Sequence, residues 1–357
     1  MTTTRQLRAR TLLAIAGLAA AWLSGCGADS PAQNVTGSSE QATRLYMASH
    51  SASGGYLEGV VKVFEVASGD TRAVEVPELG GDATHWIVPR GDRLVYWAGG
   101  DAVYSTDLEL EGPPLKLGEA SPWLTFIPSA EPDRVWLIEH GGDSIESVRE
   151  VTTKGRVTVP AVRPWQGRWP DSAVNQGLVF PTENGTTVWS PTSGETILEL
   201  PPGNMIAAHG DLVASCSFPA DGFRITDVAS GEERWIGSPA ELGRFECGPG
   251  AFSPDGRHLI VTILPTGFEP AAEVRFALVD VEGDAAKVVS GATVGGSPEG
   301  HGYLDIAWAP TSDAVYIGNG NGGSLHIPGG VLEYRIGEER AAPLPVGDND
   351  FVRMAAG

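Results

Sequence analysis

Basic residues and cysteines are both scarce in this sequence of 357 residues. Lysines and arginines number 24 against 45 aspartates and glutamates, which gives a formal net charge of −21 at pH 7. Such an excess of negative charge repels phosphate backbones, so nucleic acid is excluded as an expected partner. It is typical of the solvated acidic surface of a secreted protein. The three cysteines form no cluster of the kind that binds metal.

Long apolar runs, helical periodicity and catalytic signatures are also missing. The apolar stretch LLAIAGLAAAWL within Thr11–Leu23 is too short to span ~30 Å of hydrocarbon as a helix. Outside it no segment carries a long 3.6-residue period, which disfavours parallel α/β folds. The histidines have no metal-binding spacing, and neither a G-x-S-x-G elbow nor a phosphate-binding glycine loop occurs. We therefore expect no cofactor and no bound metal.

The first 25 residues have the pattern of a lipoprotein signal peptide. Arg5, Arg8 and Arg10 precede the apolar stretch, as basic residues precede the apolar region of a secretory leader. The stretch ends in Leu23-Ser24-Gly25-Cys26, which resembles the lipobox of bacterial lipoproteins. That resemblance implies cleavage before Cys26 and acylation of its thiol, with enough acyl chains for stable membrane anchoring. An ordinary secretory leader with an incidental cysteine is the alternative.

Residues 26–42 consist of the predicted lipidated cysteine and a polar segment without hydrophobic periodicity. Such a composition predicts a flexible tether that connects the lipid to a folded domain at 43–357. Gly27 and Ala28 follow the cysteine directly. By resemblance to lipoproteins of bacteria with two membranes, this favours the outer membrane. In a bacterium with one membrane, the anchor would hold the protein at the outer face of the plasma membrane.

A hairpin with a glycine in its turn recurs seven times in the predicted domain. Each copy joins two apolar strands, as in VFEVASGDTRAVEV and VWSPTSGETILEL. Glycine suits these turns because it adopts positive φ without steric cost. The turn glycines succeed one another at intervals of 37 to 54 residues: Gly69, Gly112, Gly155, Gly194, Gly231, Gly283 and Gly337.

A more apolar strand lies upstream of each hairpin, and in several copies a further short strand precedes it, such as LDIAWA at 304–309. Four strands in about 40–45 residues are the signature of a β-propeller blade. The first unit begins near Thr43 at its second strand, and an extra strand follows the last unit at 350–357. We therefore predict an all-β fold, a single β-propeller of seven four-stranded blades closed by the C-terminal strand. A short blade 5 and insertions in blades 6 and 7 leave six or eight blades open.

The segment FSPDGRHL at 252–259 resembles the repeats of TolB-type, WD-repeat-like propellers, and WAPTSDAVYI at 308–317 is a degraded copy of it. The resemblance covers the repeats from about 43 to 357 and implies a propeller in the cell envelope. The sequence departs from TolB in lacking an obvious separate N-terminal domain, and the resemblance does not imply TolB's partners.

Cys216 and Cys247 are predicted to form a disulfide, because exported proteins fold in an oxidising compartment. Cys216 ends the second strand of blade 5, and Cys247 lies in the predicted connection into blade 6. Both should therefore lie at the same rim of the ring. Two free cysteines are the alternative.

The connections between blades and the loops after second strands emerge on one face of a propeller, and here they are long. The loop 161–174 contains Arg163, Trp165, Arg168 and Trp169. These side chains could stack on a sugar or bind a carboxylate or phosphate. The alternative is that both tryptophans pack under the loop and cover the core.

Three histidines are candidate site residues. His301, in the long loop 291–302, belongs to the same candidate face and is the most suitable for acid–base chemistry. An ordinary loop histidine is the alternative. His50 and His140 end equivalent strands of blades 1 and 3, which could reflect a shared metal or merely common repeat ancestry.

Two functions from different classes follow. We expect a non-catalytic envelope protein that presents its long loops to a protein, a peptide or a glycan. The alternative is an exported propeller enzyme, such as a lyase, a lactonase or another hydrolase, with its site at the mouth of the central channel. An enzyme should gather titratable side chains from several blades around one pocket, whereas a binding protein should show exposed aromatic anchors.

Overall fold

The computed structural model describes residues 43–49, 59–76, 79, 87–97, 102–119, 123–141, 144–183, 185–217, 219–266, 274–293, 304–319, 330–346 and 351–357. These residues belong to one compact unit, Ala42–Gly357. The predicted leader, the tether with Cys26, and the two histidines His50 and His301 lie outside the described residues.

The described residues form seven antiparallel sheets of four strands each, with the innermost strand given first. Blade 1 consists of β28 (Phe351–Ala356), β1 (Arg44–Ser49), β2 (Val60–Glu65) and β3 (Thr71–Glu75). Blade 2 consists of β4 (Ile87–Arg90), β5 (Arg93–Trp97), β6 (Ala102–Asp107) and β7 (Leu115–Glu119). Blade 3 consists of β8 (Trp123–Pro128), β9 (Arg134–Gly141), β10 (Ser144–Thr152) and β11 (Val157–Val162). Blade 4 consists of β12 (Ser172–Val174), β13 (Gly177–Thr182), β14 (Gly185–Trp189) and β15 (Thr196–Leu200).

The remaining three blades repeat the same order. Blade 5 consists of β16 (Asn204–His209), β17 (Leu212–Cys216), β18 (Gly222–Asp227) and β19 (Glu233–Gly237). Blade 6 consists of β20 (Phe245–Phe252), β21 (His258–Pro265), β22 (Arg275–Asp280) and β23 (Ala285–Val288). Blade 7 consists of β24 (Leu304–Trp308), β25 (Ala314–Asn319), β26 (Gly330–Arg335) and β27 (Ala342–Pro345). Single 3₁₀ turns at Trp165–Gly167 and Ala240–Leu242 lie in connections between blades.

The C-terminal strand closes the ring, as the sequence predicts. β28 pairs with β1 in antiparallel register, with Leu45 opposite Ala356. The N–H of Arg44 donates to the carbonyl of Gly357 over 2.8 Å. Pairing of the two chain ends satisfies backbone groups that an open sheet edge would leave exposed.

The hydrophobic core lies between neighbouring blades rather than in one central cluster. In blade 1 the strand β2 has buried side chains at three of its six positions, whereas the outermost strand β3 alternates between exposed and half-buried ones. Phe223 and Ile225 of blade 5, for example, belong to one cluster with Leu259 and Val261 of blade 6. Because each blade covers its neighbours' faces, closing the ring removes the apolar inner strands from water.

Five of the seven predicted turn glycines adopt positive φ: Gly69, Gly155, Gly194, Gly231 and Gly337. The prediction is wrong in two turns, where another residue takes that conformation. Leu110 has φ 60° in place of Gly112, and Asp284 has φ 50° in place of Gly283. In the first of these turns the N–H of Gly112 instead donates to Oδ2 of Asp107 over 2.7 Å. An acceptor side chain at the end of the strand therefore shifts the left-handed position along the turn.

Cys216 and Cys247 form a disulfide with a Cα–Cα distance of 6.5 Å. The predicted pairing is confirmed, but the predicted position of Cys247 in a connection is wrong. It lies inside β20, which begins at Phe245 and contains a register shift between Cys247 and Gly250. A bulge thus accommodates the Gly-Pro-Gly segment, which resembles a loop in the sequence, within an inner strand.

Candidate binding site at the junction of blades 3 and 4

The strand directions define two faces of the ring. The first and third strands of each blade begin, and the second and fourth strands end, at one face, which we name the connection face. The hairpin turns after first and third strands lie on the other, the turn face. β8 begins and β9 ends at the connection face, next to the connection 163–171 that joins blade 3 to blade 4.

Three aromatic side chains meet on the connection face, and we name them the aromatic cluster: Trp123, His140 and Trp169. Trp123 lies opposite His140 in the β8–β9 register, with ring centres 5.6 Å apart. Trp169 stands at 66° to the same imidazole with ring centres 4.5 Å apart. Trp123 is 54% and Trp169 41% exposed. Large aromatic residues left in water on a rigid scaffold are typical anchors of binding sites.

The structure separates the two tryptophans of the predicted loop. Trp165 is half-buried against the core between blades 3 and 4, with its ring centre 5.8 Å from that of Phe180. Trp169 points outward. Arg163 and Arg168 are both exposed. Trp165 therefore packs under the loop against the core, whereas Trp169 stays exposed to solvent.

Sequence reasoning did not assign Trp123 to the site, and it weighed His140 only as a metal ligand. A signal was available, because the hairpin of β8 and β9 is symmetric about its turn. Counting outward from the turn places Trp123 beside His140 on adjacent strands. Trp169 lies in a connection and not in a strand. Its proximity to His140 therefore cannot be read from a strand register.

The connection that carries Trp169 is held by its own backbone. Pro164 and Pro170 are buried at its two ends. Between them the N–H of Arg168 donates to the carbonyl of Trp165 over 3.0 Å. Beyond Pro170 the N–H of Asp171 donates to the carbonyl of Val179 over 2.9 Å. These bonds limit the conformations of the connection and so reduce the entropy that a ligand must remove on binding.

Two further features mark this connection. Gln166 has φ 49°, a left-handed conformation that a residue with a side chain adopts at some energetic cost. Loss of solvent raises the pKa of the Asp171 carboxyl above its ordinary value. Both residues flank the segment that presents Arg168 and Trp169.

A cavity of about 270 Å³ opens between this connection and blade 4. Its walls combine polar side chains of the connection with polar side chains from the ends of β13, β14 and β15. The lining residues are Trp165, Gln166, Arg168, Thr182, Glu183, Thr186, Thr187, Glu199 and Leu200. Arg168 lines the cavity, and the next residue in the chain, Trp169, belongs to the aromatic cluster.

The cavity walls carry charges of both signs. Arg168 stands on the connection, and Glu183 and Glu199 stand on blade 4. Among the described residues, no ion pair within 4.0 Å joins Arg168 to either carboxylate. The charged groups are therefore available to hydrogen-bond a ligand.

The part of the chain that the structure describes contains no group of three His, Cys, Asp or Glu side chains arranged to hold a metal ion. His50 lies outside the described residues, so the metal shared by His50 and His140 stays a prediction. Within the same ranges, no helix has the length and apolarity needed to cross a membrane.

Comparison with known proteins identifies the fold. No protein-family model matches the chain, and no curated protein matches it in sequence. Among solved structures, AztD from Citrobacter koseri is similar at 14% identity, over 88% of this chain and 98% of that one, with a TM-score of 0.51. The apo form of AztD has a TM-score of 0.50 at the same identity and coverage. TolB from Acinetobacter baumannii shares 12% identity over 88% of this chain and 66% of its own, with a TM-score of 0.49. At such identities the likeness concerns the fold alone, and by fold this chain is a seven-bladed β-propeller.

Proposed function

We propose that the protein is a lipid-anchored envelope protein that binds its ligand, without catalysis, on the connection face of the propeller. The observation that carries the proposal is the aromatic cluster. Trp123 and Trp169 come from different segments of the chain, and both leave a large part of their indole in water beside His140. Burying such rings against a partner contributes favourably to binding, because it removes large apolar surfaces from water.

The surroundings support binding rather than catalysis. Strands β8 and β9 hold Trp123 and His140, and the connection 163–171 carries both Trp169 and the cavity residue Arg168. Arrangements of this kind provide aromatic anchors together with polar groups that set orientation. The ligand classes expected from the sequence, a protein, a peptide or a glycan, all suit this arrangement.

The binding proposal is tested by capture from native membranes. The full chain is immobilised and incubated with solubilised membranes of the host, and the bound material is compared with that of the double variant Trp123→Ala/Trp169→Ala. Loss of two anchors should cost about 2–4 kcal/mol, or roughly 30- to 1,000-fold in affinity. Trp235→Ala is the matched control, because Trp235 is 48% exposed but lies in the outermost strand of blade 5. Equal capture by the double variant would contradict the proposal and favour the enzyme alternative.

The anchor is tested separately. We expect Cys26 to be the acylated N-terminus of the mature protein, which predicts a lipid-modified N-terminal peptide by mass spectrometry. The variant Cys26→Ser should leave the membrane fraction. An unmodified Cys26 in membrane-extracted protein would exclude the lipid anchor without affecting the binding proposal.

A further inference from the structure

We propose that the ligand is an uncharged glycan chain, with one sugar unit in the cavity of blade 4 and the adjoining unit against Trp169. This inference rests on the proposed binding function and specifies the chemical class of its ligand. It is argued from the lining of the cavity, its charge balance, its size and the position of the indoles.

The lining consists of groups that pair with hydroxyls. Thr187 and Glu199 are cross-strand neighbours in the β14–β15 register, so their side chains stand side by side on one wall. Gln166 and Arg168 line the same cavity from the connection. Carboxylate, amide and guanidinium groups each offer two acceptors or donors in a plane, which matches pairs of neighbouring hydroxyls. An apolar peptide side chain in this space would leave these groups unpaired, at an unfavourable desolvation cost.

The charge balance favours an uncharged ligand. Arg168 contributes one positive charge, whereas Glu183 and Glu199 contribute two negative charges. A phosphate or carboxylate placed near Arg168 would also face the two glutamates and be repelled. The single net negative charge is smaller than the charge that a dedicated site for a strongly cationic ligand would present.

The size of the cavity limits what enters it. Its 270 Å³ lie just below the roughly 300–1,000 Å³ of pockets that enclose drug-sized molecules. One sugar ring therefore fits, whereas a longer chain must continue outside. Outside the cavity, the next residue after Arg168 is the exposed Trp169.

The tryptophans supply the surfaces on which sugar rings stack. A pyranose is polar around its edge and carries apolar C–H groups on its faces, which pack against an aromatic ring. Trp165 lines the cavity, and its packing on Phe180 holds its ring in place. Trp169 and Trp123 offer further indole surface on the connection face. A chain of two or three sugar units would thus use the cavity and the cluster together.

The experiment measures binding of the purified full chain to defined oligosaccharides. An array of neutral α- and β-linked hexose and N-acetylhexosamine oligomers is followed by calorimetry on the hits. Hexagalacturonate and a chitosan hexamer serve as anionic and cationic counterparts. We expect at least one neutral oligomer to bind, at least tenfold more tightly than its monosaccharide. Binding of no neutral oligomer, or stronger binding of a charged counterpart, overturns the proposal.

Variants then assign the binding to the site. Thr187→Val and Glu199→Gln, which preserve side-chain shape, should each weaken binding at least fivefold. Trp169→Ala should reduce the advantage of the oligomer over the monosaccharide to less than threefold. Glu195→Gln is the matched control for Glu199→Gln, because Glu195 is exposed in the β14–β15 turn of the same blade but on the turn face. Oligosaccharide binding that survives all three site variants would also overturn the proposal.

The two proposals fail in different ways. A negative array together with capture of a membrane protein that depends on Trp123 and Trp169 would reject the glycan and retain the binding function. A negative array together with no such capture would reject both. Unchanged thermal unfolding of each variant shows that a lost signal reflects the site and not the fold.

Discussion

The imidazole of His140 lies between the indoles of Trp123 and Trp169, and its ring centre is 4.5 Å from that of Trp169. Nδ1 of His140 is buried and has no hydrogen-bond partner in the part of the chain that the structure describes. Its contacts with the two indoles are therefore aromatic, and edge-to-face pairs of this kind contribute about 0.5–1.5 kcal/mol each. We therefore expect His140 to position the two exposed indoles.

Removing this ring should release Trp169. We expect His140→Ala to increase hydroxyl-radical oxidation of Trp169, measured residue by residue by mass spectrometry, by about twofold, because the indole loses its only ring contact among the described residues. His140→Phe retains an aromatic ring and should keep oxidation near the wild-type level. Trp235 serves as the internal reference, and the buried Trp136 should stay protected in every variant. Equal oxidation of Trp169 in all three proteins would show that His140 does not hold it.

Closure of the ring should depend on one buried carboxylate. Oδ2 of Asp305, in the inner strand of blade 7, accepts a hydrogen bond from the N–H of Met354 in the closing strand over 2.8 Å. Asp305→Ala leaves that buried donor unpaired and should lower the free energy of unfolding by about 1–3 kcal/mol. Asp305→Asn keeps an acceptor and should cost less. Urea unfolding measures both, and Asp70→Ala, at an exposed turn position, controls for loss of a carboxylate.

Hydrogen exchange provides a second measurement of the same contact. The amide of Met354 should exchange faster in Asp305→Ala, whereas amides in β17 of blade 5 should be unaffected. Unchanged protection of Met354 would mean that the backbone pairing of β28 with β1 closes the ring without help from Asp305.

The disulfide should stabilise the junction of blades 5 and 6. Cys216 and Cys247 are 31 residues apart in sequence, and a cross-link over such a loop contributes about 3–4 kcal/mol by restricting the unfolded chain. The variant Cys216→Ala/Cys247→Ala should lose about this much in urea unfolding. Wild-type protein treated with a reductant should approach the variant, while the variant itself should not respond. A loss below about 1 kcal/mol would contradict the prediction.

Mild acid should weaken the contact between blades 5 and 6 at His209. Burial lowers the pKa of His209 below its ordinary value of about 6.5, and Arg90 lowers it further, while the carbonyl of Pro254 and the carboxylate of Asp255 act in the opposite direction. Between the two pKa values the unfolded chain binds more protons than the folded one, so stability rises with pH. The contribution is complete above about pH 6.5 and is lost as the pH falls towards the folded-state pKa.

His209→Gln removes this titration but keeps a side-chain donor for the carbonyl oxygen of Pro254. That oxygen lies 3.1 Å from Nε2 of His209. The urea midpoints of wild type and variant are compared at pH 7.5 and pH 5.0. We expect the wild type to lose more stability than the variant over this interval. An identical loss in both would show that other groups carry the acid sensitivity.

The repeated pattern of the sequence was sufficient for the architecture. Turn glycines such as Gly69 and Gly194, each between two apolar strands, revealed the blade period, and unpaired strands at the two ends of the repeats revealed the closure. Both inferences depend on local rules, since strand alternation and turn conformation are decided within a few residues. The Cys216–Cys247 pair was predictable from the oxidising compartment of exported proteins and from the blade order, which places both residues at one rim of the ring.

The site was decided by tertiary structure. Sequence could bring Trp165 and Trp169 into one connection, but only the apolar surface around Phe180 determined that Trp165 packs inward and Trp169 stays in water. Trp169 lies in a loop, 29 residues after His140 and 46 residues after Trp123 in the sequence. No local preference encodes the proximity of residues so far apart in the chain. The sequence by itself thus determined the ring, the order of its blades and the face that carries the long connections. Which side chains on that face meet and remain exposed was decided by packing between blades, because burial depends on neighbours that are distant in the chain.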